Sequence, residues 1–334
     1  MKNILVTGGL GYIGSHTVVE LLNNGFEPII IDDLSNTNFS VLSNIEKITN
    51  KKCVYYQNDI NDKNALSDIF DKHKIDSVIH FAAFKAVGES VAEPLKYYRN
   101  NVGGLISLLE VMALKNVSKI VFSSSCTVYG EPDNCPVDEN SPIKTATSPY
   151  GNTKQIGEAI LKDSLNFHTI ALRYFNPIGA HESALIGELP LGVPNNLMPF
   201  ITQTAIGIRK ELTVFGNDYK TADGTCIRDY IHVVDLAKAH VLALQYLDNN
   251  ANIHFDVINI GTGNGFSVME IIDSFEQNNH IKLNYKIGSK RAGDVEQVWA
   301  NNDKAKQLLK WNATHDLKSM VQSAWLWQQT LEKR

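Results

Sequence analysis

Ile4-Leu5-Val6-Thr7-Gly8-Gly9-Leu10-Gly11-Tyr12-Ile13-Gly14 decides the fold. A short apolar strand runs into a glycine-rich turn, and Ser15 to Leu22 then reads as a helix closed by Asn24-Gly25. Gly8 permits a tight turn, Gly11 lets backbone approach a pyrophosphate, and Gly14 allows close packing of helix on strand. The start of the helix offers amide donors and a positive dipole end to phosphates. The spacing is GxxGxxG rather than GxGxxG, and a loop of this kind also serves as a plain tight turn. The next strand narrows the choice. It runs from Pro28 to Ile31 and ends at Asp32, close to the ~20 residues expected after such a loop. A carboxylate there accepts hydrogen bonds from an adenosine ribose and repels a 2′-phosphate, so the pattern points to NAD rather than NADP.

Outward from the loop, short apolar strands alternate with amphipathic helices. Val54 to Gln57 leads to Asp59, Ser77 to Phe81 to Ala82-Ala83, Lys119 to Phe122 to Ser123-Ser124-Ser125, and Thr169 to Tyr174 to Phe175-Asn176. Near-continuous apolar strands separated by helices predict an α/β fold, a Rossmann-type parallel sheet with helices on both faces. Polar and small residues gather at the C-terminal strand ends, the edge where open α/β sheets bind ligands. After Asn176-Pro177 the texture changes. Pro190, Pro194 and Pro199 interrupt the chain, a helix pattern runs from Phe200 to about Arg209, and Val257 to Ile260 reads as a strand returning to the large sheet. An amphipathic stretch bearing Trp residues spans Leu317 to Leu331. The expected division is a dinucleotide-binding part over 1–176, rejoined by segments around 229–262, and a smaller mixed α/β substrate domain over 177–334.

The chain has 334 residues and a formal charge of -5, without a dense Lys/Arg block. This excludes a basic nucleic-acid footprint. Cys53, Cys126, Cys135 and Cys226 have neither metal-ligand nor disulfide-framework spacing, so no metal is expected and reduced thiols in the cytoplasm fit best. Met1-Lys2 leads straight into a strand pattern with no signal peptide before it, and no apolar stretch is long enough to span a bilayer.

Tyr150 and Lys154 are four residues apart and share a face on a helix. A tyrosine is a poor base at neutral pH, its ordinary pKa being ~10. An ammonium beside it favours the phenolate. Ser125 stands at a strand end, where its hydroxyl can share a substrate proton with Tyr150. Alone, the Tyr/Lys pair also suits the surface of an amphipathic helix. Asp59, at the end of the third strand, serves equally well as an adenine contact or as a cap for the turn containing Asp62.

These residues carry a resemblance to the extended short-chain dehydrogenase/reductases and, within them, to the UDP-glucose 4-epimerase family. It runs over nearly the whole length, through Gly8 to Ser15, His80 to Ser90, Phe122 to Gly130, Tyr150 to Lys154, Arg173 to His181, Pro194 to Pro199, Phe215 to Tyr219 and Arg228 to His232. The stretches Lys85 to Ser90 and Asn195 to Pro199 are the more specific to the epimerases.

The resemblance implies Tyr150 as catalytic base, Lys154 as its electrostatic partner and nicotinamide-ribose ligand, and Ser125 as proton relay. It implies NAD contacts at Gly8, Gly11, Tyr12, Ile13, Gly14, Asp32, Asn36, Asp59, Ile60, Phe81, Ala82, Lys85 and Asn100, with Tyr174 against the nicotinamide. It places the UDP-sugar at Asn176, Asn196, Leu197, Phe215, Arg228, Arg291 and Asp294. Arg228 and Arg291 suit a diphosphate through their donor forks, although Arg291 and Asp294 also read as a local ion pair. The implied activity is reversible NAD-dependent epimerisation at C4 of UDP-glucose and UDP-galactose through a 4-keto sugar, in galactose metabolism, by a homodimer.

Two positions refine this expectation. Related 4,6-dehydratases carry an Asp-Glu pair after the position of Ser125, and UDP-glucuronate decarboxylases a glutamate at that of Thr127. Here the residues are Cys126 and Thr127, and neither supplies a carboxyl group. At Val298 some relatives have tyrosine. The smaller valine either widens the pocket for the N-acetyl group of UDP-N-acetylglucosamine or UDP-N-acetylgalactosamine, or simply packs beside Trp299.

Overall fold

The computed structural model describes residues 1–250, 252–291 and 294–332. Their strands, in chain order, are β1 (Asn3–Thr7), β2 (Glu27–Ile31), β3 (Val54–Tyr56), β4 (Ile75–His80), β5 (Lys119–Ser125), β6 (His168–Tyr174), β7 (Asn176–Ile178), β8 (Leu212–Phe215), β9 (Ile227–His232), β10 (Phe255–Ile260), β11 (Gly265–Ser267), β12 (Tyr285–Gly288) and β13 (Gln297–Val298). Seven of them make one parallel sheet in the order β10-β6-β5-β4-β1-β2-β3. The order reverses between β1 and β4. Such a reversal opens a crevice at the C-terminal strand ends, and the Gly8–Gly14 loop follows β1 there.

The sheet is covered on both faces because its apolar side chains divide by the two-residue period of a strand. Ile4, Val6, Ile30, Ile79, Val121, Ile170 and Leu172 enter one core with Val18, Leu22, Leu236 and Leu244. Leu5, Ile29, Ile31, Val78, Ile120, Phe122 and Ala171 enter the other with Leu66, Leu108, Met112 and Leu161. The first set meets the helices Tyr12–Asn23 and Val233–Asn249, the second Lys63–Lys72, Gly104–Leu114 and Pro149–Asp163.

Beyond β6 a second layer forms. β9 pairs with β7 through Tyr230–His232, and with β13 and β11 through Ile227–Asp229. β8 and β12 make a separate parallel pair. Met198, Ile201, Leu212, Tyr230, Ile271, Phe275, Met320 and Val321 form the core between these strands and the helices Leu197–Ala205, Val268–Asn279 and Leu317–Leu331. Of the late segment expected to rejoin the large sheet, β10 does so along β6, whereas β9 belongs to the smaller four-stranded sheet.

Three boundaries differ from the sequence expectation. The first helix begins at Tyr12, not Ser15, because Gly11 already has the extended conformation of an N-cap. The later helix spans Leu197–Ala205 rather than Phe200 to Arg209. Pro199 lies in its first turn, where the missing amide would be unbonded anyway, and Gly207 follows the end at φ +87°. Ser123 to Ser125 do not follow β5 but complete it, each paired in register with β6.

Candidate active site

Asp32 is buried, 8 % exposed, and its carboxylate ties the glycine loop to the end of β2. One oxygen accepts the Leu10 amide and the other the Leu34 amide, both at 3.0 Å. Burial pushes this carboxyl above its usual range, and the bonds from Leu34 and Leu10 pull it back. A Cβ on Gly8 would come within 2.9 Å of the Ala82 nitrogen, and one on Gly14 within 2.2 Å of the Gly8 carbonyl oxygen. Gly11 differs. A Cβ there would meet only that same oxygen, at 3.2 Å, and Gly11 is partly exposed. The loop is thus packed from behind by backbone and open on its Gly11 side. No side chain caps the helix that starts at Tyr12, so its first amides remain available to an anion. The Tyr12 hydroxyl donates to the Gly179 carbonyl at 2.6 Å, fixing the loop to the second layer, and Ile13 packs against the first core.

Ser148 starts the other essential helix. Its hydroxyl accepts the Gly151 amide at 3.2 Å and Pro149 occupies the first turn, a strong start signal. Tyr150 therefore lies at the helix entrance and Lys154 one turn on. Ser125 lies near enough to the Tyr150 phenol to favour its ionised form, and its own oxygen accepts the Thr127 amide at 3.2 Å. The Lys154 ammonium is buried, 4 % exposed. It donates to the Ser123 carbonyl at 2.6 Å and lies 5.9 Å from the Tyr150 ring centroid. Burial raises the Tyr150 phenol well above its ordinary value, and Ser125 opposes the rise. Burial likewise lowers Lys154 to about 8. The pair shares a helix face, as its spacing requires, but the ammonium bonds β5 rather than the phenol.

The other residues implied for the dinucleotide surround this edge unevenly. Phe81 and Ala82 follow β4 and bond back to Thr7 through their amides, at 3.0 and 3.3 Å. The Tyr174 hydroxyl bonds that of Ser123, and both Tyr174 and Phe81 pack on the His240 ring. Lys85 is exposed and pairs with Glu188 at 3.1 Å. Asn100 lies in the turn Tyr98–Gly103 and donates to Asn101 at 3.0 Å. Asn36 and Asp59 are exposed and Ile60 is buried. Asp59 accepts the Asn61 amide at 2.8 Å, whereas Asp62 caps the helix Lys63–Lys72.

A family model described as GDP-mannose 4,6 dehydratase matches residues 5–324. The chain is 50% identical to the UDP-glucose 4-epimerase of Dictyostelium discoideum over 97% of its length and 95% of that protein's. The chain belongs to the UDP-glucose 4-epimerase family. Its fold superposes with a TM-score of 0.96 on an epimerase of this family from Stenotrophomonas maltophila, solved with NAD and formylated UDP-arabinopyranose, at 46% identity and covering 100% of this chain and 99% of that one. The Bifidobacterium longum epimerase, solved with NAD+ and UDP, gives 0.95 at 44% identity with 98% of each chain covered.

The positions expected from the sequence to hold a UDP-sugar lie mostly in the second layer. Asn176 begins β7, paired with Tyr230. Asn196 stands at the N-cap of the helix beginning at Leu197 and donates to Glu188 at 2.5 Å, so one carboxylate links an expected cofactor residue, Lys85, to an expected substrate residue. Arg228 faces Val298 across β9 and β13 and donates to the Ile227 carbonyl at 2.9 Å. Arg291 forms two 2.9 Å bonds with Asp294 and stacks over Phe215, 5.1 Å from its centroid. The local ion pair read from sequence therefore exists. Val298, 5 % exposed, packs with Val128, Tyr129, Val137, Phe175 and Ala300, with Cys126 at the edge.

Two structural carboxylates escaped the sequence reading. Asp229 accepts from Thr262, Gly263 and Ala300 and locks β9 to its neighbours. Glu158 lies one turn beyond Lys154, so the four-residue step continued along the same helix would have flagged it.

Proposed function

We propose that this chain interconverts UDP-glucose and UDP-galactose by inverting C4 of the hexose, with NAD as its resident cofactor and galactose metabolism as its setting. The observation that carries the reading is the meeting of Ser125, Tyr150 and Lys154 at the C-terminal edge of β5, on the same edge of the sheet as the Gly8–Gly14 loop. The loop fits a dinucleotide, because Gly11 leaves backbone uncovered where a diphosphate must approach and the Tyr12 helix presents uncapped amides. Gly8, Gly11, Tyr12, Ile13 and Gly14 would hold the diphosphate. Asp32 would receive the adenosine ribose on the acceptor capacity left beside its two amide bonds. Asp59 and Ile60 would border the adenine.

When bound, NAD would supply the reversible hydride acceptor that oxidation and re-reduction at C4 require. Tyr150 takes the C4 hydroxyl proton through Ser125, whose oxygen is steadied by the Thr127 amide. Lys154 supplies positive charge at the phenol and limits the cost of a buried phenolate. Arg228 and Arg291 hold the UDP diphosphate, with Asn196 and Phe215, while the 4-keto hexose turns and presents its other face. Tyr150 then returns the proton. Cys126 and Thr127 offer no carboxyl group for dehydration, which keeps the sequence at redox inversion.

We divide the labour along the chain at Asn176, with residues 1–176 and the late strand β10 carrying the dinucleotide and 177–334 mainly the UDP-sugar. The four cysteines are free, which suits the reducing cytoplasm. Ile106 and Leu114, exposed on the helix Gly104–Leu114, and Leu165 just past the helix Pro149–Asp163, supply apolar surface for a homodimer. A second reading adds UDP-N-acetylhexosamines as substrates, favoured by the small Val298 beside Arg228.

The test is to incubate the purified protein with UDP-glucose and, separately, with UDP-galactose, following the anomeric protons by NMR. Both incubations should converge on one mixture. A protein that retains NAD and converts neither sugar nucleotide would overturn the reading.

A further inference from the structure

Lys154 must stay charged in a place that disfavours charge. Its ammonium is surrounded by the Ser123 carbonyl and the rings of Phe122 and Tyr150, none of them an anion. The titratable groups around this pair come from β4, β6, the helix itself and two flanking turns, which bring the neutral Cys126 thiol and Tyr97 phenol near Tyr150. β4 supplies His80, which burial holds neutral with a pKa of about 3. β6 supplies Tyr174, bonded to the Ser123 hydroxyl. The helix itself supplies Tyr150 and Glu158. Of these, only Glu158 is an anion.

Glu158 is 5 % exposed and fully engaged. Arg173 on β6 donates through Nε to Oε1 at 2.9 Å and through Nη2 to Oε2 at 2.6 Å. The Ser124 hydroxyl of β5 also donates to Oε1. Arg173 reaches further, to the Tyr129 hydroxyl at 3.1 Å, and Tyr129 donates to Asn259 of β10 at 2.7 Å. One carboxylate therefore joins the Tyr150 helix to β5 and β6. The step of four from Tyr150 to Lys154 to Glu158 places all three on one helix face. Desolvation draws the Lys154 proton off, and Glu158 works against it.

We propose that Glu158 is a positioning residue for proton transfer: clamped by Arg173 and Ser124, it is the counter-anion that keeps the Lys154 ammonium charged beside Tyr150. A bidentate guanidinium prevents the carboxylate from rotating away, and the Ser124 bond keeps the strand carrying Ser125 in register with the helix. Interpreting the kinetic readout rests on the epimerase reading; the titration of Lys154 does not.

The test uses Glu158→Gln, Glu158→Asp and the double change Glu158→Gln/Arg173→Met. Gln alone leaves the guanidinium buried and unpaired, which can prevent folding; the double change removes both charges together. The first readout is the pH titration of the Lys154 13Cε resonance, assigned by Lys154→Met. The second is the alkaline limb of kcat/KM for UDP-glucose. Without the carboxylate, both midpoints should move about one pH unit lower, roughly a tenfold loss of activity above the new midpoint. Glu158→Asp, which keeps the charge, should stay near the parent. An unmoved Lys154 midpoint in a folded charge-free variant would overturn the proposal, as would equal shifts in the Asp and Gln variants. A Lys154 midpoint that moves in a protein with no activity on UDP-glucose would uphold the role of Glu158 and reject the epimerase reading.

Discussion

Gly14 lies so close to Gly8 that a methyl group on it would sit 2.2 Å from the Gly8 carbonyl oxygen. The helix entrance is pressed onto the turn that precedes it, and the obstacle is backbone, which cannot rotate aside. Gly14→Ala should therefore lower stability by at least the ~1–3 kcal/mol typical of overpacking and displace the loop. The measurements are the melting temperature and NAD retained through purification. A variant with parental melting and full NAD content would show that the loop relaxes without consequence.

Tyr150→Phe removes the phenolic oxygen and keeps the ring. The turnover rate should fall by the ~10²–10⁴ expected for a lost acid–base group. NAD binding should persist, because the loop and Asp32 are untouched. A rate within about twofold of the parent would remove Tyr150 from the assigned role.

Val298→Tyr fills space beside Arg228 and Phe175. The specificity constant for UDP-N-acetylglucosamine should drop more than that for UDP-glucose, by roughly one to two decades for a clash of ~1–3 kcal/mol. Val298 is a member of a packed cluster, so the melting temperature should fall as well. UDP affinity, measured by calorimetry, should change little. If the ratio of the two constants holds steady, the size filter lies elsewhere. If the parent shows no activity on the N-acetyl sugar, the broader specificity is rejected.

Stability should decline on mild acidification. Burial holds His16, His80 and His232 down at about 3 and His240 at about 4, against 6.5 for an ordinary histidine. The folded state thus binds fewer protons than the unfolded state below 6.5. Their stabilisation is present above that value and is lost as pH falls toward 4, by up to about 1.4 kcal/mol per unit for each histidine. Asp229, pushed up to about 6 by burial, has the opposite sign but offsets only one proton. Urea unfolding at pH 7 and pH 5 should show a clearly lower midpoint at pH 5. Equal midpoints would mean that these rings take up protons without opening the fold.

The parallel sheet was legible because strands buried on both faces read as near-continuous apolar runs between helices, as in Ile4, Leu5 and Val6. The Tyr150/Lys154 face was legible because both residues lie within one helix. Less legible was whatever depends on distant partners. Glu158 gains its meaning from Arg173 and Ser124 on two other strands. Asp32 looked like a ligand residue, yet its carboxylate also carries the glycine loop through Leu10. Pro199 looked like a break because its position in the first helical turn depends on Asn196 standing at the N-cap. The pairing of Ser123 to Ser125 with β6 likewise stems from register, which a local stretch does not contain.

The large sheet ends on one side at β10, a strand that lies far along the chain from its neighbour β6. During synthesis β6 emerges with an open hydrogen-bonding edge, which stays open while much of the second layer is made. An unpaired edge is a template for association with other chains. The Tyr129–Asn259 bond, too, forms only when β10 arrives. Completion of the large sheet is thus timed by the portion of the chain that builds the second layer, and a nascent chain halted before Phe255 would leave β6 as its border.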